Sequence, residues 1–198
     1  MSEIAIANET FQNLLKEVGM DNYTPSLAAE ALLNVNARYI KDLKINVSNV
    51  LNNNTALSKK EAVLIALAVA INEKFAPLQT ALSGIATQEG ATEAEVAEVI
   101  ACTSLMNTNN VFYRFRHFIK KDFYSTQPAG IKMSIMMNPI LGKEFFELIS
   151  IALSAVNGCE RCVASHEQSV LQHGSSELRV LEAVKLAAVI KGLITVLA

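Results

Sequence analysis

Residues 145–156 read FFELISIALSAV, and this stretch decides the fold because apolar side chains occupy nearly every face of the helix it predicts. A helix that is apolar all round is buried in a protein core, whereas a surface helix keeps one polar face. The stretch therefore predicts a central helix around which other elements pack. Its one carboxylate, Glu147, is expected to be buried with it.

A second apolar stretch lies 84 residues upstream and belongs to an internal repeat. Both copies read helix, break, helix, glycine, cap and helix, and they share the pattern Gln-x-Gly-x-x-Glu. Identities under the shift include Lys59 and Lys143, Ala68 and Ala152, Gln88 and Gln172, Gly90 and Gly174, Glu93 and Glu177, Val96 and Val180, and Glu98 and Glu182. We infer two repeated helical halves, at about residues 58–114 and 142–198, within one domain over residues 1–198.

Helical signals occur along the rest of the chain, and alternating strand-like runs are scarce. Ser58 followed by Glu61, and Thr92 followed by Glu95, match the capping box at a helix start. The predicted fold class is all-α. We expect helices at residues 9–18, 25–43, 59–72, 76–88, 93–107, 110–122, 143–156, 160–173 and 176–196.

Composition and charge exclude several classes of function. A net charge of -2 and a pI near 5.9 argue against nucleic acid as a partner, because phosphate binding requires a basic surface. The apolar segments 61–71 and 183–198 are too short, or too interrupted by lysine, to span a membrane. Residues 1–20 lack the pattern of a signal peptide, so we expect a cytoplasmic protein in which a close cysteine pair indicates redox chemistry or metal binding.

The stretch NGCERCVASHEQS, residues 157–169, carries the reactive side chains. On a helix that starts near residue 160, Cys159, Cys162 and His166 line one stripe, and the last two are close enough to exchange a proton. The helix start would favour the thiolate form of Cys159. Glu147 is expected to have a raised pKa because it is buried, and to act as a proton donor and acceptor.

The repeat sets these four residues apart from the rest of the core. Their counterparts in the first half are all apolar: Val63 for Glu147, Phe75 for Cys159, Leu78 for Cys162 and Leu82 for His166. Apolar side chains fill these positions in the first half, so packing alone does not explain the polar side chains in the second half. Cys102 faces a leucine under the same shift and is expected to be a small core residue, and Met133, Met136 and Met137 are expected to fill the core.

Chemistry alone leaves three interpretations of these residues open. Two cysteines at this spacing can form and release a disulfide, as in a dithiol oxidoreductase. Two thiolates, an imidazole and a carboxylate are also suitable zinc ligands, although positions i, i+3 and i+7 span about 10 Å of helix axis, too far for one tetrahedral ion. Free cysteines are, in addition, common as ordinary buried residues.

The order of these residues resembles a known family. Glu147, eleven intervening residues, and then Cys159-x-x-Cys162-x-x-x-His166 resemble the signature of the alkyl hydroperoxidase D (AhpD) family, within the carboxymuconolactone decarboxylase-like superfamily. The stretches MNTNNVFYRF and MNPI are similar to the same family, and the resemblance covers nearly the entire chain. One position differs from the family pattern, since relatives often carry histidine where this chain has Arg161. Arginine can stabilise a thiolate but cannot shuttle a proton.

The resemblance implies an all-helical homotrimer, without a bound cofactor, that acts as an antioxidant thiol-disulfide adaptor with lipoyl-dependent peroxidase activity. Such proteins take electrons from dihydrolipoamide on the lipoylated acyltransferase of a 2-oxoacid dehydrogenase complex. They pass the electrons to a peroxiredoxin, alkyl hydroperoxide reductase C. Carried over by position, Cys162 would attack peroxide or bond the partner, Cys159 would close the disulfide, and His166 with Glu147 would relay protons.

Two other functions stay open beside this one. A decarboxylase-type enzyme of the same superfamily would use Glu147 and His166 for acid-base chemistry, with the cysteines incidental. A non-enzymatic helical interaction or metal-binding module would need no turnover at all.

Overall fold

Helices carry the whole architecture in the part of the chain that the structure describes. The computed structural model describes residues 8–198, and this range contains no β-strand. The α-helices are, in chain order, α1 (Glu9–Glu17), α2 (Leu27–Asn34), α3 (Tyr39–Leu51), α4 (Lys59–Asn72), α5 (Ala76–Gln88), α6 (Glu93–Ile119), α7 (Asp122–Thr126), α8 (Lys143–Val156), α9 (Glu160–Gln172) and α10 (Glu177–Leu197). A short 3-10 helix, Ser134–Met136, precedes α8. The predicted all-α class is confirmed.

Two helices at the centre are buried along most of their length. In α4 every residue from 62 to 70 is buried, and in α8 every residue from 145 to 154. The two helices contact each other, and α10 packs against both. The central helix predicted from FFELISIALSAV is therefore confirmed, and Glu147 lies in its buried part.

The internal repeat is also a repeat of structure. Both ends of α8 and α9 lie 84 residues after the corresponding ends of α4 and α5, and α10 starts 84 residues after α6. The turns agree as well: the backbone φ angles of Lys74 and Gly158 are 59° and 68°, and those of Gly90 and Gly174 are 84° and 87°. The two halves thus use the same helices and turns, although only the second carries the dithiol.

The helix predicted at residues 25–43 is wrong. The chain leaves α2 at Asn34 and enters α3 only at Tyr39. Between them Asn36 adopts a φ of 48°, and the N–H of Ala37 bonds to the carbonyl of Leu32 at 2.9 Å. Asparagine tolerates this left-handed conformation better than most residues, so it can end a helix as glycine does.

The break predicted between helices 93–107 and 110–122 is also wrong, because α6 runs unbroken to Ile119. Asparagine side chains disfavour helices when they compete for backbone hydrogen bonds. Here Asn107 Nδ2 donates to the carbonyl of Thr103 at 2.9 Å, and Asn110 Nδ2 donates to Ser154 Oγ of α8 at 2.9 Å. Contacts within α6 and with α8 therefore offset the poor helix propensity.

Two predictions involve the beginning of the chain and the membrane. The predicted domain and the absence of a signal peptide both include residues 1–7, which lie outside the described residues. Among residues 8–198, no helix has the length and apolar character that crossing a membrane requires.

Candidate active site

The turn between α8 and α9 places both cysteines at the start of a helix. Gly158 has a φ of 68°, in the left-handed region that glycine adopts without strain, and the N–H of Cys159 bonds to the carbonyl of Ser154 at 3.0 Å. Cys159 is the N-cap residue of α9, and Cys162 lies in its first turn. A disulfide joins the two, so the structure shows the oxidised form of the pair. Their exposed fractions are 1% and 6%.

Asparagine side chains hold this turn in place. Asn157 Oδ1 accepts a hydrogen bond from Asn72 Nδ2, and Asn157 Nδ2 donates to Asn110 Oδ1, both at 2.9 Å. Asn110 in turn donates to Ser154 Oγ. The turn is therefore tied to α4, α6 and α8 together, and this network determines where the first cysteine lies.

His166 lies one helical turn after Cys162 and bonds to a carboxylate of α8. His166 Nδ1 is 2.6 Å from Glu147 Oε2, and Lys143 Nζ is 3.1 Å from Glu147 Oε1. Both members of the His166–Glu147 pair are buried. The structure thus brings all four predicted site residues onto two adjoining helices: Glu147 on α8, and Cys159, Cys162 and His166 on α9.

The direction predicted for the pKa of Glu147 is wrong. Burial raises the pKa of Glu147, but hydrogen bonds from His166 and Lys143 and the positive charges of both groups lower this pKa by more, so the net shift is downward. Sequence reasoning overlooked Lys143, which lies one turn before Glu147 on the same helix. An ionised Glu147 accepts the Nδ1–H of His166, and Nε2 is then the nitrogen that can take up or release a proton.

A cavity of about 360 Å³ opens onto Cys162 and His166. The other lining residues come from α6, from α9 and from the segment before α8: Asn109, Tyr113, Met133, Met136, Arg161 and Ser165. The volume lies within the range of small-molecule sites. Cys159 borders a separate, shallow depression, so a small substrate in the cavity would meet Cys162 first.

Residues 127–142, here called the strap, close one side of this cavity. The two carboxylate oxygens of Glu98 accept hydrogen bonds from the backbone N–H groups of Ile140 and Leu141 at 2.8 and 2.7 Å. Lys143 Nζ also donates to the Met136 carbonyl at 2.5 Å. The strap is therefore attached to α6 through Glu98 and to the cation beside Glu147 through the Met136 carbonyl.

Of the three strap methionines predicted to fill the core, Met136 packs partly against it, and Met133 and Met137 do not. Met137 is 76% exposed, whereas Met133 and Met136 are half-buried and line the cavity. Their position depends on the attachment of the strap, which no local sequence pattern indicates.

Cys102 is not part of the disulfide, and the repeat predicted that it is a small core residue. It is fully buried, with its Sγ 3.5 Å from Ser150 Oγ, and burial raises the pKa of its thiol to about 12. The prediction of a core residue is confirmed.

Comparison with known proteins identifies relatives along most of the chain. The profile of the Carboxymuconolactone decarboxylase family matches residues 127–198, which include the strap and all four site residues. A protein of Maricaulis maris (strain MCS10) named alkyl hydroperoxide reductase AhpD is 38% identical over 176 residues, 87% of this chain and 98% of that protein. Proteins of the same name from Anaeromyxobacter sp. (strain K) and Coxiella burnetii (strain Dugway 5J108-111) are 41% and 36% identical, over 76% and 78% of this chain and 80% and 88% of their own lengths.

A solved structure shares the fold. A crystal structure from Burkholderia xenovorans LB400, described as a candidate gamma-carboxymuconolactone decarboxylase subunit, superposes with a TM-score of 0.65 over 94% of this chain and 91% of that one. At 15% identity this similarity concerns the fold alone. The sequence relatives, matched over most of both lengths, show that the chain belongs to the alkyl hydroperoxide reductase AhpD family.

Proposed function

We propose that this protein is an antioxidant dithiol oxidoreductase that reduces organic hydroperoxides with electrons from dihydrolipoamide. The observation that carries the proposal is the Cys159–Cys162 disulfide beside the bonded His166–Glu147 pair, with Cys162 and His166 on one cavity. The name shared by the relatives, alkyl hydroperoxide reductase, belongs to the same class of reaction. Dithiol chemistry thus accounts for both cysteines as well as the His166–Glu147 pair beside them.

The reduced form would act in two steps. His166 takes the proton of the Cys162 thiol, and the resulting thiolate attacks the terminal oxygen of the hydroperoxide. The O–O bond breaks, Cys162 becomes a sulfenic acid, and His166 gives the proton to the departing alkoxide. The Cys159 thiol then gives its proton to His166 and attacks the Cys162 sulfur. Hydroxide leaves with that proton as water, and the disulfide forms. The sum is two thiols and a hydroperoxide converted to a disulfide, an alcohol and water.

The dithiol is restored by exchange with dihydrolipoamide. One donor thiolate attacks a sulfur of the protein disulfide, and the second donor thiol then closes a ring and releases the protein thiol. Two electrons and two protons pass to the protein in this exchange. We propose the lipoylated acyltransferase of a 2-oxoacid dehydrogenase complex as the source of the donor, and the peroxiredoxin alkyl hydroperoxide reductase C as a protein acceptor that oxidises the same dithiol.

Turnover measurements test the proposal. With dihydrolipoamide and cumene hydroperoxide, with and without a peroxiredoxin, wild-type protein should consume peroxide, Cys162→Ser should fall to the background rate, and the control Cys102→Ser should keep wild-type turnover. Equal turnover in Cys162→Ser and wild type would contradict the proposal. An activity that survives alkylation of both site thiols would favour acid-base chemistry by Glu147 and His166 instead.

A further inference from the structure

Asn109 is a buried carboxamide whose hydrogen-bonding capacity is largely unused. Its exposed fraction is 5%, and its side chain lines the cavity that reaches Cys162. Among the described residues, the carbonyl oxygen Oδ1 has no hydrogen-bond partner. The amide nitrogen Nδ2 donates at 3.3 Å to Met133 Sδ, and a thioether is a weak acceptor.

Neighbouring asparagines on α6 have oxygen partners, so the weak hydrogen bonding is particular to Asn109. Asn107 and Asn110, on the same helix, each donate to oxygen acceptors at 2.9 Å, and Asn110 Oδ1 also accepts from Asn157. A buried carbonyl oxygen without a donor destabilises the folded protein, and an exception of this kind calls for a reason. Because Asn109 lies on the cavity wall, a ligand in the cavity is placed to supply the missing donor.

The lone pairs of Oδ1 specify the chemistry of that ligand. They attract an N–H or O–H group and repel a carboxylate. Beside Asn109 the thioether side chains of Met133 and Met136 form an apolar wall, which suits a hydrocarbon chain. A ligand with a dithiol at one end, a short hydrocarbon chain and a secondary or primary amide matches these three features in a single cavity.

We infer that Asn109 is a substrate-binding residue that accepts a hydrogen bond from the amide N–H of the lipoyl donor. The inference rests on the proposed function, because it assigns the amide of that donor to a position on α6 while its thiols meet the disulfide at Cys162. The site would thereby favour an amide-linked lipoyl group over a free lipoate carboxylate.

Reduction of the oxidised protein, without peroxide, tests this inference separately from turnover. The disulfide is mixed anaerobically with dihydrolipoamide or with the N,N-dimethylamide of dihydrolipoic acid, which carries the same dithiol and carbonyl but no N–H. Protein thiols are trapped with iodoacetamide and counted by mass spectrometry. Wild type should be reduced about five- to tenfold faster by dihydrolipoamide, which is the effect of one buried hydrogen bond.

Three variants then assign the effect to one oxygen atom. Asn109→Leu, which has a similar volume and no acceptor, should reduce the rate ratio between the two donors to about one. Asn109→Asp keeps an acceptor oxygen and should keep the preference. Tyr113→Phe removes a different polar group of the cavity and should leave the ratio as in wild type.

The results test the role of Asn109 and the proposed function separately. A ratio near one in wild type, a ratio that persists in Asn109→Leu, or a slower oxidation of the Asn109→Leu dithiol by cumene hydroperoxide would overturn the role of Asn109 as amide acceptor. If neither lipoyl donor reduced a disulfide that dithiothreitol does reduce, the proposed function would be wrong, and the inference would be overturned with it.

Discussion

Glu147 is buried but bonds to two side chains on different helices, and these bonds lower its pKa and keep it ionised. His166 of α9 bonds to one carboxylate oxygen and Lys143 of α8 to the other. A carboxylate held in this way orients the imidazole and selects the nitrogen that carries protons, which is a positioning role rather than proton transfer by Glu147 itself. The proton-carrying group of the site is then His166 alone.

Glu147→Gln should therefore destabilise the protein, and the loss should depend on pH. Because the native pKa lies below the ordinary value, the unfolded state binds more protons in acid. The stabilisation by Glu147 is complete above its ordinary pKa of about 4.3 and disappears as the pH falls through the lower native value. Urea denaturation at neutral pH should show a loss of about 2 kcal/mol in Glu147→Gln, which shrinks at pH 3.

A matched control separates pairing from a general effect of lost charge. Glu160 lies on α9 with its side chain 84% exposed, and its only ion-pair contact among the described residues is a surface one with His117 at 3.4 Å, so Glu160→Gln should change the free energy of unfolding by less than about 0.5 kcal/mol. A pH-independent loss in Glu147→Gln would argue against the lowered pKa.

The three thiols should differ in reactivity after reduction. Burial raises the pKa of Cys102 to about 12, so its thiolate is a very small fraction at pH 8, while Cys159 and Cys162 lie at the helix start beside open depressions. Iodoacetamide at pH 8 should add two groups to the native reduced protein and three to the denatured protein, as counted by mass spectrometry. Three rapid additions to the native protein would contradict the buried position of Cys102.

At the scale of elements, the repeat supplies a matched pair of turns. Lys74 and Gly158 occupy the same position after α4 and α8, and both have a positive φ. Only glycine adopts this conformation without strain, and Lys74 is exposed, so its side chain loses little on removal. Lys74→Gly should stabilise the protein by about 0.5–1 kcal/mol, whereas Gly158→Lys should destabilise it by about 1 kcal/mol. Thermal unfolding of both variants measures the difference, and shifts of the same sign would contradict it.

The strap offers a test of how elements build the cavity. In Glu98→Gln one of the two acceptor oxygens becomes an amide nitrogen, and either Ile140 or Leu141 loses its hydrogen-bond acceptor. We expect a loss of about 1–3 kcal/mol in stability and a raised KM for the lipoyl donor, since the methionine wall is released. Glu95→Gln is a suitable control, because Glu95 lies on the same helix but bonds at the start of α6. A KM unchanged in Glu98→Gln would show that the attachment through Glu98 does not control donor binding in the cavity.

Local patterns made part of this architecture predictable. Cys159, Cys162 and His166 share one helix and follow its periodicity, and Glu147 stands out as the one acid in the buried part of α8. The contribution of Asn109 depends on packing between distant segments, so no local pattern revealed it. Lys143 had one available signal, since it precedes Glu147 by one turn and is conserved in the repeat as Lys59.

At the scale of the whole molecule, α6 presents two different faces. One face carries Asn109 and Tyr113 toward the cavity, and the other carries an apolar stripe at positions i, i+4 and i+7. The stripe consists of Val111, Phe115 and Phe118, which are 61%, 43% and 69% exposed. Contiguous apolar residues on a surface are typical of contacts between proteins, so we propose that this stripe lies in the interface of a homotrimer.

A charge in the stripe should separate the subunits. Phe118→Asp would bury a carboxylate without a partner, at a cost of about 3 kcal/mol or more for each contact. Light scattering coupled to gel filtration should give three times 21.5 kDa for wild type and a shift toward one chain for the variant. Leu27→Asp, at a site that is 87% exposed on α2, should leave the mass unchanged.

A monomeric wild type at tens of micromolar, or a Phe118→Asp variant that stays trimeric, would contradict the placement of the stripe in the interface. Because the stripe and the cavity share α6, a monomeric variant that reduces lipoyl donors more slowly would in addition link assembly to the site.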